Sequence, residues 1–234
     1  MKVNNETDKE KIILHKDDSL RRLNTLFDNY INNEQDISKA DKLAYWIKDY
    51  CDLLRAENTF NPQFLKSYKR GDVIQVNLGY NIGNEEGGLH YCIVLDRNNS
   101  IKSGIITVIP LTSDKGQKLD FSEISLGNEI YAKFKTKYNN YMKDFTEKIK
   151  TFSKNQNEND IQETLKELST IKKMEAKMAK MKKGSIALVS QITTVSKQRI
   201  YDPQKTTDLL TSINISDDKL DLINQKLKQL FIKL

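Results

Sequence analysis

The sequence predicts an α+β protein in which helices flank and interrupt a small β-domain of short, closely turning strands. Three observations predict it. Apolar residues recur at spacings of three and four over residues 20–54, 138–181 and 216–230, the period of a helix with one buried face. Between these stretches, β-prone runs at Val73–Leu78, His90–Leu95, Ile105–Leu111, Ile186–Val189 and Gln191–Val195 are separated by turn residues, as in a small barrel or sandwich. The composition is 38% hydrophobic and 30% charged, with 9 Gly and 3 Pro in 234 residues. It suits a polar folded domain and excludes collagen-like or wholly disordered chains.

Taken in order, residues 1–16 are expected to be frayed or disordered. Leu20, Leu23, Phe27 and Tyr30 then form one stripe. After Asn32-Asn33-Glu34-Gln35, Ser38 followed by Asp41 has the form of a capping box. It opens a second helix with Ala40, Leu43, Ile47, Tyr50/Cys51 and Leu54 on one side and Trp46 beside it. Neither helix can bury its stripe alone, so the two pair as a hairpin or dock onto the β-domain C-terminal to them.

The pattern changes at Lys69-Arg70-Gly71-Asp72. A strand with Val73, Val76 and Leu78 ends in a loop, Gly79–Gly88, holding four glycines, and a buried-type strand comes next at His90–Leu95. Asp96–Ser100 supplies a turn, and Pro110 in the next strand predicts a bulge or sheet edge. The helical period returns with Tyr138, Tyr141, Phe145, Ile149 and Phe152. A polar hinge, Ser153–Asn159, leads to a second helix carrying Ile161 to Met181, so an antiparallel hairpin is inserted between strands. Two strands lie beyond Gly184, Asp202-Pro203 makes a turn, and a last helix capped near Ser216 carries Leu220, Ile223, Leu227 and Leu230. The domains predicted are therefore 1–66, an N-terminal helical hairpin, and 67–234, the β-domain interrupted at about 131–183.

The net charge of +6 is uneven: residues 131–183 carry 14 basic and 7 acidic side chains, while 1–66 and 67–130 are slightly acidic. Such a segment is either a polyanion contact or a lysine-rich solvated helix face. Within it Tyr131, Lys133, Phe134, Lys135, Lys137 and Tyr138 interleave aromatics with cations, a pattern that suits either base stacking or the buried seam of the hairpin. Cys51 and Cys92, like His15 and His90, are too far apart for a structural metal site, and both cysteines are expected to be reduced and buried. No cofactor is implied. No run approaches a membrane span, and the charged N-terminus has no secretory apolar core, so a cytoplasmic protein is expected.

Residues 69–112 and 184–200 together resemble the MazF/PemK family of type II toxin–antitoxin endoribonucleases. The likeness rests on Arg70-Gly71-Asp72-Val73, Gly83-Asn84-Glu85-Glu86-Gly87-Gly88, Ile93–Leu95, Ile106–Thr112 and Gly184–Ile192, with Lys197–Ile200 and Ser216–Lys219 also fitting. Both helical hairpins fall outside it, as in an extended branch of the family. The resemblance implies an SH3-like β-barrel that dimerises, cuts single-stranded RNA without a metal ion and is restrained by a cognate antitoxin.

It also implies a site. In compact members an Arg after the Gly-Gly pair and a Thr ending the third strand serve the scissile phosphate; here those positions hold His90 and Thr112. An imidazole can move protons near neutrality, whereas a guanidinium supplies fixed charge. The expected roles are thus proton transfer for His90 and donation to the phosphate by Thr112 with Ser113. Lys69, Arg70 or Lys115 would supply positive charge. Glu85 in the glycine-rich loop, with Gln191, Thr193 and Thr194, are candidate RNA contacts. The alternatives are an RNA-binding or regulatory protein without turnover, and a topoisomerase-inhibiting toxin on the same fold.

Overall fold

The computed structural model describes residues 6–150 and 158–233. The chain divides into two compact units, residues 1–55 and 56–234.

The first unit is a helical hairpin, α1 (Glu6–Asn32) and α2 (Ile37–Ala56). Here the expectation of a frayed 1–16 is corrected. Residues 1–5 lie outside the described residues, but helix runs from Glu6 onward; Asp18, bonded to Arg21 and Arg22, stabilises it within one turn. The cap of α2 is displaced as well. Asp36, not Ser38, accepts the Lys39 and Ala40 amides through its carbonyl, while Ser38 lies inside the helix. Among the described residues of this unit, only Ala40 and Leu43 are buried. Cys51 is exposed, contrary to expectation; Cys92 is buried, and burial followed by the Glu86 carboxylate pushes its thiol above the ordinary range.

The second unit is built on seven strands: β1 (Val73–Asn77), β2 (Leu89–Val94), β3 (Ile105–Ser113), β4 (Glu123–Gly127), β5 (Ser185–Leu188), β6 (Thr193–Ser196) and β7 (Ile200–Asp202). They pair antiparallel in the order β4-β5-β3-β2-β1-β7, with β6 also on β3. The barrel expected from sequence is not closed by pairing, because β4 and β7 end the path and no ladder among the described residues joins them. β3 is shared: its first half pairs with β6 and its last three residues with β5. Pro110 sits where that edge passes from one partner to the other, which is where a missing N–H costs least.

Side chains alternate across this sheet and build two cores. Ile74, Val76, Cys92, Val94, Ile106 and Val108 pack on one face, whereas Val73, Ile93, Ile109 and Leu111 meet the helices on the other. Those helices are α3 (Glu129–Lys150), α4 (Glu158–Met181) and α5 (Asp217–Phe231). Phe134, Ile130, Met174, Met181 and Ile223 are the buried anchors, each contributing about 1.5–3 kcal/mol. The inserted pair, α3 with α4, thus helps form the principal core.

The helices are also tied by charge. Glu129 of α3 accepts both the amide and the hydroxyl of Ser216 at 2.6 and 3.0 Å, capping α5 from another helix. Lys177 of α4 reaches the sheet, 2.8 Å from Asp202 and 2.7 Å from Gln75 Oε1, with its ammonium over the Tyr91 ring.

Candidate functional site

β1 and β2 are joined by the glycine-rich loop, which crosses the edge of the sheet. Gly83 and Gly88 have φ of +65° and +81°, and a Cβ on Gly87 would lie 2.7 Å from the Gly79 carbonyl. Glycine is therefore required where the loop turns back on itself. Gln191 fixes it from across the sheet: its Oε1 accepts the Glu86 amide at 2.7 Å and its Nε2 donates to the Asn84 carbonyl at 3.2 Å. Between this loop and the β5–β6 segment lies an open cleft of about 670 Å³, lined by Asn81, Glu85, Glu86, Pro110, Thr193 and Arg199 among others.

His90 stands beside this cleft. It opens β2 opposite Val76, and its Nδ1 lies 3.2 Å from the Leu111 carbonyl while its Nε2 lies 3.3 Å from Glu86 Oε2. Both ring nitrogens face oxygen acceptors, so both contacts are hydrogen bonds when each nitrogen carries a proton. The imidazole is 27% exposed and Glu86 25%, open enough to meet a ligand and enclosed enough to hold one geometry.

The β2–β3 register pairs Cys92 with Pro110. The ladder ends there, so no pair joins His90 to Thr112, which pairs instead with Ile186 of β5. Thr112 opens into a second cleft of about 490 Å³ with Ser113, Lys115 and Lys118. His90 lines neither cleft, but its partner Glu86 lines the first.

Other expected site residues are dispersed. Lys69 is exposed near a turn, where its amide donates to Asp72. Arg70 points to α5, bonding the Leu95 carbonyl and Asn224 Oδ1. Neither lines the clefts around His90. Thr193 lines the first cleft, but Thr194 alternates to the opposite side, bonding Thr107 at 3.2 Å. Gln191 is engaged with the loop backbone, and Glu85 projects from that loop.

The two readings of Tyr131–Lys137 are resolved by packing. Phe134 is fully buried, and Tyr131 and Tyr138 pack against the core. Lys133 bonds Asn214 and Glu129, while Lys137 donates to the carbonyls of Asp208, Leu209 and Thr211. Burial lowers the Lys137 ammonium's pKa despite Asp202 and Asp208.

Two residues at the site have no role assigned from sequence. Glu86 lies in the quoted loop motif, and its spacing of four from His90 across a glycine turn is the signal that marks it. Arg199 lies in Lys197–Ile200, a segment that carries the sequence resemblance, with nothing local to aim it at a cleft. Among the described residues, no three His, Cys, Asp or Glu side chains converge as metal ligands, and no helix is long and apolar enough to cross a membrane.

Fold and site together define an α+β domain with an antiparallel sheet, two polar clefts and an imidazole whose carboxylate partner lines the first of them. Residues 69–180 match the family described as PemK-like, MazF-like toxins of type II toxin–antitoxin systems. The match takes in α3 and nearly all of α4, so the inserted hairpin, placed outside the resemblance from sequence, lies within the matched span; residues 184–200 lie beyond it. No curated protein matches the chain. Toxins of this family pair with antitoxins.

Proposed function

We propose that the domain is an endoribonuclease toxin that cleaves single-stranded RNA by attack of a 2′-hydroxyl on the adjacent phosphorus. The new bond is O2′–P, the bond broken is P–O5′, and the products are a 2′,3′-cyclic phosphate and a 5′-hydroxyl. The observation that carries the reading is the fixed imidazole of His90, held between Glu86 and the Leu111 carbonyl.

In-line displacement puts O2′ and O5′ on opposite sides of phosphorus. The adjacent His90–Glu86 pair serves one side: with Nδ1–H held by the Leu111 carbonyl, an unprotonated Nε2 accepts the 2′-hydroxyl proton and the Glu86 carboxylate then stabilises the imidazolium formed. Thr112 and Ser113 donate to the non-bridging oxygens, and Lys115 in the same cleft stabilises the charge of the phosphorane. Solvent supplies the proton to the departing O5′. The first cleft, with Thr193 and Arg199, receives the neighbouring nucleotide.

We read the shared strand β3 as the seam of an opened SH3-like barrel, and the acting species as a homodimer whose groove the antitoxin covers. The test is sequencing of RNA ends after incubation with the purified protein and with its His90→Ala variant. Discrete cuts bearing cyclic phosphates that vanish in the variant are the expected result. Intact RNA with the parent protein, or equal cleavage by both, overturns the proposal.

A further inference from the structure

On the helix-covered face of the sheet, across β2 from His90, a third cleft of about 690 Å³ opens between α4 and the β7 segment. Its floor holds Gln75 and Tyr91, which alternate with Val76 and His90 and so face away from the two clefts beside the imidazole. One wall is α4, contributing Lys173 and Lys180 one pair of turns apart; the other carries Tyr201 and Lys205. Lys177 between them is neutralised by Asp202 at 2.8 Å. Asp208, the other acid of the wall, is occupied by the amides of Gln204 and Lys205 at 2.7 and 2.8 Å.

Two features remain uncompensated. Among the described residues, the ammonium groups of Lys173, Lys180 and Lys205 have no ion-pair partner, so positive charge gathers around a concave surface. The Tyr91 hydroxyl is a buried polar atom without a hydrogen-bond partner, which ordinarily marks a missing ligand or solvent contact. Beside them Tyr201 presents an aromatic ring that is 66% exposed. An exposed ring among cations is the arrangement that stacks a base while holding its phosphate.

We propose that this cleft is a nucleotide-phosphate binding site, distinct from the cutting site, that takes a base on Tyr201 and its phosphate on Lys173, Lys180 and Lys205. An acidic peptide would use the lysines but has no need of the ring, which is why a nucleotide is the favoured occupant. The same chemistry is offered by a flanking stretch of bound RNA or by a free nucleotide; the former rests on the proposed ribonuclease reading, the latter does not. In the RNA case the strand rounds the end of β2 near Leu89, which lines this cleft, and passes from one face of the sheet to the other.

The test uses the full chain and reads binding separately from cleavage. Probes are a 2′-O-methyl single-stranded RNA of about ten nucleotides, which lacks the attacking hydroxyl, adenosine monophosphate and a polyglutamate peptide. Variants are Lys173→Ala/Lys180→Ala/Lys205→Ala, Tyr201→Ala and His90→Ala, each checked for an unchanged circular-dichroism spectrum. The triple variant should lose about 10- to 100-fold in affinity for the RNA, with a log–log salt slope shallower by about 0.7 where the lysines share one phosphate and by about 2 where each meets its own, at roughly 0.7 per phosphate contact on single strands. Tyr201→Ala should lose about 5- to 100-fold, and His90→Ala should retain binding at this cleft. Mononucleotide binding that depends on the same residues supports the free-nucleotide source, and its absence beside RNA binding supports the flanking strand. Undiminished binding of both nucleotide probes by the triple and Tyr201 variants overturns the site, as does dependence of polyglutamate binding alone on the lysines. Unmodified RNA left intact by the parent protein, with these affinities as expected, would instead count against the ribonuclease reading and leave the binding site standing.

Discussion

His90 shows how one side chain can be placed without being free. The Leu111 carbonyl and the Glu86 carboxylate, 3.2 and 3.3 Å away, fix both ring nitrogens, so the ring has one orientation to offer a substrate. If it moves a proton, His90→Ala lowers the cleavage rate by about 10²–10⁴-fold while RNA affinity stays within a few-fold. His90→Arg separates the two chemistries considered for this position. An arginine restores charge but cannot accept a proton, so single-turnover kinetics should show no recovery in it. Recovery to parental rate would mean that fixed charge is what the position supplies. Glu86→Gln keeps the shape and removes the negative acceptor, and its rate should fall with that of His90→Ala if the two act as a pair. The sequence discloses the position of the imidazole, through the Gly87-Gly88 turn and the strand after it. It withholds Glu86, because the loop that brings that residue back is held by Gln191 from more than a hundred residues away. Arg70 fails as a site residue for a related reason: its neighbours in sequence say nothing of Asn224, which claims its guanidinium.

Elements are held by contacts that period and propensity do not express. The stripes on α4 and α5 are readable because helical spacing is local, and Met174, Met181 and Ile223 are indeed buried. β4 and β7 escape notice because each is short and gains its stability from a neighbour distant in sequence, Ser185–Leu188 for one and β1 for the other. The cap of α5 is likewise supplied by Glu129, not by a residue beside it. Burial raises the Glu129 carboxyl's pKa, but the Lys133 ammonium and the Ser216 donors outweigh it and hold the group below its ordinary value of 4.5. The folded state therefore binds that proton more weakly than the unfolded one. The stabilisation is complete above pH 4.5 and is lost as pH falls through the lower, folded value. Glu129→Gln should cost about 1 kcal/mol at neutral pH, as loss of a cap does, and thermal melts from pH 7 to 3 should show a shallower acid decline in the variant. The Lys177–Asp202 pair makes the complementary case. Both side chains are mostly buried, so Lys177→Met leaves a carboxylate uncompensated and should cost about 3 kcal/mol, measured by urea unfolding. A loss no greater than that of an exposed lysine would show that α4 is held by its methionines alone.

At the scale of the molecule, the surplus of positive charge in 131–183 divides into two populations. Lys133, Lys137, Lys148, Lys150 and Lys177 all bond protein oxygens. Lys137 is the most committed, closing three carbonyls of the loop before α5. Such lysines contribute to the long-range potential, but part or all of their donor capacity is already spent on protein oxygens. Those on the outer side of α4 keep theirs. Net charge alone therefore overstates the polyanion-binding surface, and the two populations should separate in experiment. Lys137→Gln leaves three carbonyls with fewer donors and should lower stability by about 1–3 kcal/mol, yet leave the salt dependence of RNA binding unchanged. Lys173→Gln should leave the thermal midpoint within about a degree or two, since exposed substitutions change stability little, and should flatten the salt slope by about 0.7. Melting curves paired with binding isotherms at three salt concentrations measure both quantities on the same preparations. If Lys137→Gln instead flattened the slope without destabilising the fold, the helical insertion would be contacting RNA through its buried seam, and the assignment of that seam to packing would have to be reversed.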